Sequence, residues 1–440
     1  MLNHLKKRRT VYFLMIMSLI GYFSKYGLNV LLSHHLSPRR FGEFSIAIRV
    51  LGILSSVALL GTNVSARRFL SRFLQLNDEH STKFYLQWNM RLIHSTFLLS
   101  VILGLTTYIT MHLLHIWHFR NIQNYHMVIY MLWVAPIAAL VALLDSYLLC
   151  ADHTALSNFL NNIKTAFYIL VFFVFFIFFK AEVHVFMISV VLFVALSILL
   201  LIEVYFITYK TPLLSQQILF ALGAKEAPKV DDSWLGVSLR LALNNLMFLI
   251  VCTGDLFLVQ FINPTGDAVA KYAVVLTIAS ALFVIPQNIY TAIKGKVSSL
   301  IDTKKGCAIL EEEIKSLNRY SLAVILLIGL GIIYFSSDLL GHFGRLYKEA
   351  EIPLLIVTFG FMIGAYAQGG IVLIAYSGNE KVATNVSLIE LITLIVSGVI
   401  LTYMYGILGT AFATSLAIIT KTILFHIHCY RKLGIHSFAI

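Results

Sequence analysis

Apolar stretches of roughly 20 residues, each about the length of helix that crosses a hydrocarbon core, follow one another along almost the whole chain. Short polar joints separate them. The pattern predicts spans at roughly 11–33, 44–65, 90–113, 126–150, 158–179, 183–208, 235–261, 270–292, 320–337, 352–376, 383–404 and 406–427. Several spans nevertheless keep charges: Lys25, Arg49, Arg240 and Asp255 all lie inside otherwise apolar runs. A charge near the bilayer centre costs on the order of 2.5–3.5 kcal/mol on insertion scales, so such groups usually face a bundle interior or a watery cavity.

Composition agrees with a membrane protein. Of 440 residues, 59% are apolar and 12% charged, whereas soluble domains are about a quarter charged. The four cysteines, Cys150, Cys252, Cys307 and Cys429, are scattered, so neither a disulfide framework nor a zinc site follows. A net charge of +12 raises the question of nucleic acid. The basic residues sit in short joints between spans, however, where they act as topology signals, and no nucleic acid is expected. Most of them fall on one side, against six on the other: Arg39, Arg40, Arg120, Lys180, Arg345 and Lys348. The bias places both termini in the cytoplasm. The first apolar run is too long for a cleavable signal, so it stays as a span.

The long joints fall near 66–89, 209–234 and 293–319, and the middle one divides the chain into two sets of six spans, with an N-terminal lobe at 1–209, a cytoplasmic linker at 210–234 and a C-terminal lobe at 235–440. A shift of about 228 residues places Phe44 on Tyr272 and Arg91 on Arg319. An even number of spans per half implies parallel repeats about an axis along the membrane normal, with a substrate site between them. The fold class expected is an all-α polytopic membrane protein of about 12 transmembrane helices in two pseudo-symmetric lobes.

The seventh span carries the clearest polar stripe, with Arg240, Asn244, Phe248, Val251 and Asp255 on one helical face. Tyr22, Lys25, Tyr26 and Asn29 share a face of the first span, Arg49, Gly52 and Ser56 of the second, and Thr277, Ser280, Val284 and Gln287 of the eighth. Together they predict one cavity in which Arg49, Arg240 and Lys25, helped by Asn244, Asn29 and Tyr26, hold an anionic substrate. Arginine and lysine suit phosphate oxygens. Asp255 is the lone acid and the candidate for coupling to H+ or Na+. The plainer alternative lets Arg49 and Arg240 snorkel to the faces and makes Lys25–Asp255 a structural ion pair. Asp145, Lys164, Glu203 and Glu390 lie nearer the inner helix ends and read first as packing or interfacial groups.

Three further features are read as structural. His112, His115 and His118 recur every three residues beside Trp117, but without a carboxylate or cysteine they read as an interfacial belt rather than a metal site. Pro136 and Pro286 predict kinks in the fourth and eighth spans. Residues 65–76 are basic and amphipathic and are expected on the inner membrane surface.

Phrases along nearly the whole chain resemble a known superfamily. Leu32-Ser-His-His-Leu-Ser-Pro-Arg-Arg-Phe-Gly-Glu-Phe-Ser45 resembles the first outer loop of polysaccharide flippases. Asp255-Leu-Phe-Leu-Val-Gln-Phe-Ile262 with Lys271-Tyr-Ala-Val-Val275 is similar to their passage from the seventh helix to the eighth. Tyr376-Ser-Gly-Asn-Glu-Lys381 and Tyr405-Gly-Ile-Leu-Gly-Thr-Ala-Phe-Ala-Thr-Ser415 resemble their C-terminal pattern. The chain thus resembles the multidrug/oligosaccharidyl-lipid/polysaccharide (MOP) exporters, and within them the O-antigen (Wzx-type) branch. The resemblance implies a MATE-like fold in the bacterial inner membrane. It also implies export of an undecaprenyl-diphosphate-linked glycan by alternating access, without a cofactor, with membrane lipid and the polysaccharide polymerase and chain-length machinery as partners. The basic residues matched to the diphosphate are Arg49, Arg240 and Lys25. One departure is His34, which stands where many relatives carry a permanently basic residue and makes the charge there pH-dependent. The alternatives are a cation-coupled multidrug exporter of the same superfamily and, from another class, a membrane polymerase or ligase. Such enzymes carry their chemistry on long outer loops, and the outer loops here are short.

Overall fold

The computed structural model describes residues 2–116, 126–151, 153–179, 185–223, 232–263, 266–291, 303–377 and 379–438, with positions 293, 297, 300 and 301 between them. All regular structure among these residues is helical. The helices are α1 (Leu2–His35), α2 (Pro38–Leu59), α3 (Thr62–Gln75), α4 (Glu79–Ile116), α5 (His126–Cys150), α6 (Thr154–Phe179), α7 (Val185–Lys210), α8 (Pro212–Gly223), α9 (Asp232–Ile262), α10 (Ala268–Ala279), α11 (Ala281–Thr291), α12 (Lys304–Tyr334), α13 (Ser336–Gly341), α14 (Glu351–Tyr366), α15 (Gln368–Tyr376), α16 (Glu380–Tyr405) and α17 (Ile407–Leu433), with a 3-10 turn at Arg345–Ala350. Twelve segments are long and apolar enough to cross a membrane, so the chain is a multi-pass membrane protein. Large apolar side chains lie open along the spans, including Leu201, Leu327 and Ile400, as a hydrocarbon solvent allows.

The long joints are more ordered than hydropathy predicts. Residues 62–75 and 212–223 form α3 and α8, and the ninth span begins at Lys304 rather than near 320. The Thr303 hydroxyl caps α12 by accepting from the Gly306 N–H at 3.1 Å, and Glu311 and Lys315 add a pair one turn apart. α3 is amphipathic, α8 is apolar but only 12 residues long, and the first turns of α12 are charged, so a search for span-length apolar runs misses all three. The segment expected to lie on the membrane surface also differs. In α3, Thr62, Ser65, Ala66 and Leu70 are buried and the helix packs on α4 and α5, while Arg67, Arg68 and Arg72 point outward. Its apolar face is thus used up within the protein. Pro136 lies inside an unbroken α5, whereas the helix containing Pro286 is interrupted at Ser280, where α10 ends and α11 begins.

Two compact units emerge, and their membership differs from chain order. One comprises residues 1–42 with 250–440, and the other residues 43–249. The division falls inside α9. In the unit of 43–249, α5 packs on α3, α4, α6 and α7. The start of α9 is anchored there by Trp234 in an aromatic cluster with Phe69, Phe73, Tyr85 and Trp88. A buried hydroxyl chain runs Ser238 to Ser65 at 2.7 Å and Ser65 to Tyr85 at 2.9 Å. Gly61 makes this approach feasible: its φ is +76°, and a Cβ there would stand 2.3 Å from the Ser238 carbonyl oxygen. In the unit of 1–42 and 250–440, α17 packs along α14 and α16, and α1 lies on α10 and α11. A core around Tyr290, Leu310, Phe425 and Cys429 closes one end. There the Tyr290 hydroxyl donates to Asn318 Oδ1 at 2.6 Å, and the Asn318 amide donates to the Ser437 carbonyl at 2.9 Å.

Candidate functional site

In the unit of 1–42 and 250–440, α1, α10, α11, α12 and α13 enclose a cleft of about 510 Å³. Leu19, Phe23, Ile278, Val284, Ile328 and Ile332 supply much of its apolar wall, and Tyr22, Tyr26 and His342 bring its polar atoms. These positions follow from local sequence. Tyr22 and Tyr26 are four apart on α1 and so share a face. The break at Ser280 removes regular partners from backbone carbonyls, and the Tyr22 hydroxyl lies 3.3 Å from the Thr277 carbonyl oxygen and 3.2 Å from that of Ile278. Pro286 lies six residues beyond the break, inside α11. The Tyr26 hydroxyl lies 3.0 Å from His342 Nδ1 and 3.4 Å from the Leu339 carbonyl, and its ring meets Phe343 edge-on at 5.2 Å. Two turns further, His34 Nε2 donates to the His342 carbonyl at 2.8 Å and the Ser33 hydroxyl to that of Phe343 at 3.2 Å. The end of α1 is therefore fastened to the segment after α13, and Tyr26 and His342 bring polar groups to an otherwise mostly apolar cleft.

The residues expected to hold substrate distribute between the units. Tyr26 lines the cleft. Lys25 is exposed on α1 and does not line it, and the Asn29 amide is spent on the Lys25 carbonyl at 3.0 Å. Asp255 is buried at 4% exposure in the same unit, and its Oδ1 accepts from the Leu256 N–H at 2.8 Å. Arg49 and Arg240 belong to the unit of 43–249. Arg49 is half-buried, while Arg240 is exposed with its Nε–H donating to the Gly236 carbonyl at 3.1 Å. The side chain of Asn244 lies outside the described residues, as do those of His112 and His115 and the whole of Trp117 and His118. Among the described residues no group of three metal-binding side chains comes together.

Sequence reasoning missed two groups, Asn245 and His342. Asn245, next to the stripe residue Asn244, donates its amide to Ser56 at 2.8 Å and ties α9 to α2 within the unit of 43–249. His342 joins the cleft from a loop, which periodicity does not reach. Glu390, read as a packing group, pairs with Lys421 at 2.9 Å between α16 and α17, and its side chain is 4% exposed.

Comparisons with protein-family models and with curated proteins find no match. Solved structures do match, over nearly the full length. An inward-facing multidrug resistance MATE family transporter of the MOP superfamily aligns with a TM-score of 0.72 at 14% identity, covering 96% of this chain and 94% of that one. A Vibrio cholerae MATE transporter mutant gives 0.67 at 14% identity, with 97% and 98% covered. A MOP superfamily transporter from Pyrococcus furiosus, described as having a binding pocket of reverse polarity that suggests a different function, gives 0.67 at 14%, with 97% and 96% covered. The chain has the fold of the MATE transporters of the MOP superfamily.

Proposed function

We propose that this protein is a secondary exporter that moves amphipathic molecules with a large apolar body across the cytoplasmic membrane by alternating access, driven by a cation gradient. The observation that carries this reading is the α1 cleft. Its volume, about 510 Å³, falls in the range of sites for drug-sized ligands, and its wall is mostly apolar with Tyr22, Tyr26 and His342 among the residues that line it. Such a site binds an apolar body by burial and orients it through Tyr26 and His342. A fold neighbour described as a multidrug resistance transporter supports the same reading.

A second substrate class, the lipid-linked oligosaccharide, is favoured by the three in-span bases Lys25, Arg49 and Arg240. The neighbour whose pocket has reversed polarity supports the idea that this fold accepts different substrate charges. An anion leaving a negative interior also gains roughly 2.3 kcal/mol per charge per 100 mV.

One deletion strain separates the two readings. Under the first, cells lacking the protein become sensitive to lipophilic cationic dyes. Wild type rescues them, as do Arg49→Ala and Arg240→Ala, but Ala281→Phe, which fills the cleft, does not. Accumulation of lipid-linked oligosaccharide on the inner leaflet, with dye tolerance unchanged and rescue lost in Arg49→Ala and Arg240→Ala, would establish the second. Full dye export by a well-expressed Ala281→Phe protein would dismiss the cleft as the site.

A further inference from the structure

We propose that Asp145, Lys164 and Glu203 form a proton-binding site within the unit of 43–249, distinct from Asp255 and from the α1 cleft. The inference deepens the exporter reading by naming its driving ion, and rests on that reading only for the transport arm of the test below.

The three residues come from adjacent helices: Asp145 from the last turns of α5, Lys164 from the first half of α6, and Glu203 from the second half of α7. The Ser157 hydroxyl, one turn into α6, donates to Asp145 Oδ1. Lys164 stands within electrostatic reach of both carboxylates. Glu203 is 2% exposed, and its Oε2 has no hydrogen-bond partner among the described residues. The other groups facing the cluster are Tyr168 on α6, which faces Glu203, and Arg67 on α3, which faces Asp145 from an exposed position. The remaining helix against α7, α8, carries no titratable residue.

A buried carboxylate oxygen without a donor is costly, because the charge loses its hydration and nothing replaces it. A proton on Glu203 removes that charge without needing room. A metal ion fits poorly, since it would share the space with the Lys164 ammonium and find few oxygens to ligate it. The other unit shows what the same helices do when no ligand is needed. Lys164 and Glu390 both lie ten residues in from the start of their helices, α6 and α16, with charge reversed. Glu390 closes on Lys421 at 2.9 Å as one acid with one base. The Asp145–Lys164–Glu203 cluster adds a second acid, which is the difference a reversible proton requires. Loading is a plain acid–base step in which the carboxylate of Glu203 takes one proton, and release returns it to water on one side of the membrane.

The test is an infrared pH titration of the full chain in lipid nanodiscs, reading the carbonyl band of protonated carboxyl groups. A titrating band is expected in wild type and in Asp255→Asn, lost in Glu203→Gln and unchanged by sodium. If Glu203→Gln does not fold, Lys164→Met decides: a proton must then replace the lost ammonium, so band intensity at neutral pH rises. In proteoliposomes, Glu203→Gln is expected to lose at least tenfold of its pH-gradient-driven export. A band that persists in Glu203→Gln, does not rise in Lys164→Met or collapses with added sodium overturns the site. A band behaving as expected, with no export of dye or lipid-linked glycan by wild type, overturns the exporter reading alone.

Discussion

Lys271 shows how this chain keeps a cation at the rim of an apolar span. Its Nζ lies 2.6 Å from both Asp267 Oδ2 and Glu349 Oε2, with the lysine side chain 10% exposed. Asp267 sits just before α10, and the hydrogen bond from Lys271 holds its carboxyl below the usual range. A carboxylate depressed in the folded state adds stability above its unfolded value and loses it as the pH falls through the folded one. Asp267→Asn is therefore expected to lower the melting temperature at neutral pH by the equivalent of about 0.2–1 kcal/mol, since the pair is partly exposed. The gap to wild type should close as the pH drops below about 3.9; a gap constant down to acid pH would remove the ion pair as its cause. At this scale the sequence was partly legible. Charges inside apolar runs identify themselves, and Tyr26 and Tyr22 lie on a polar face. The cleft's apolar wall did not, because an isoleucine lining a pocket and one facing lipid read alike. Asn245 escaped for a similar reason: two adjacent asparagines differ only in which neighbour they meet.

The elements were the most legible, since a bilayer demands long apolar helices and the sequence supplies them in order. The exceptions are α3, which is amphipathic, α8, which is too short to span, and the early start of α12, whose first turns are charged. In α3 the decisive residue is its N-cap, Gly61. Left-handed backbone costs an L-residue roughly 1–2 kcal/mol, and a side chain there would also strike the Ser238 carbonyl. Gly61→Ala is expected to destabilise the protein in detergent by at least about 2 kcal/mol, read as a fall in melting temperature. Gly52→Ala is the control, because its Cβ would meet nothing within 4 Å and alanine favours a helix. Equal melting temperatures for the two variants would mean that α3 is not pinned to α9 through this glycine.

Across the whole molecule, the repeat expected from the sequence is linear, whereas packing groups α1 with residues 250–440 and the start of α9 with the unit of 43–249. Pattern cannot show such an exchange, because every long apolar helix is an equally good partner on paper. It can be tested by cutting the chain. The fragment 232–440 is expected to accumulate poorly in membranes by itself and several-fold better when residues 1–42 are co-expressed; equal yields would contradict the place given to α1. The exchange also bears on how the protein is made. The first helix leaves the ribosome with its partners α10 and α11 still unwritten, and at about 5–20 residues per second residue 268 follows residue 42 by roughly 10–45 s. During that interval the Tyr22 hydroxyl stands without the Thr277 and Ile278 carbonyls that it meets in the finished fold, so the first helix must hold a polar face alone until the second half arrives.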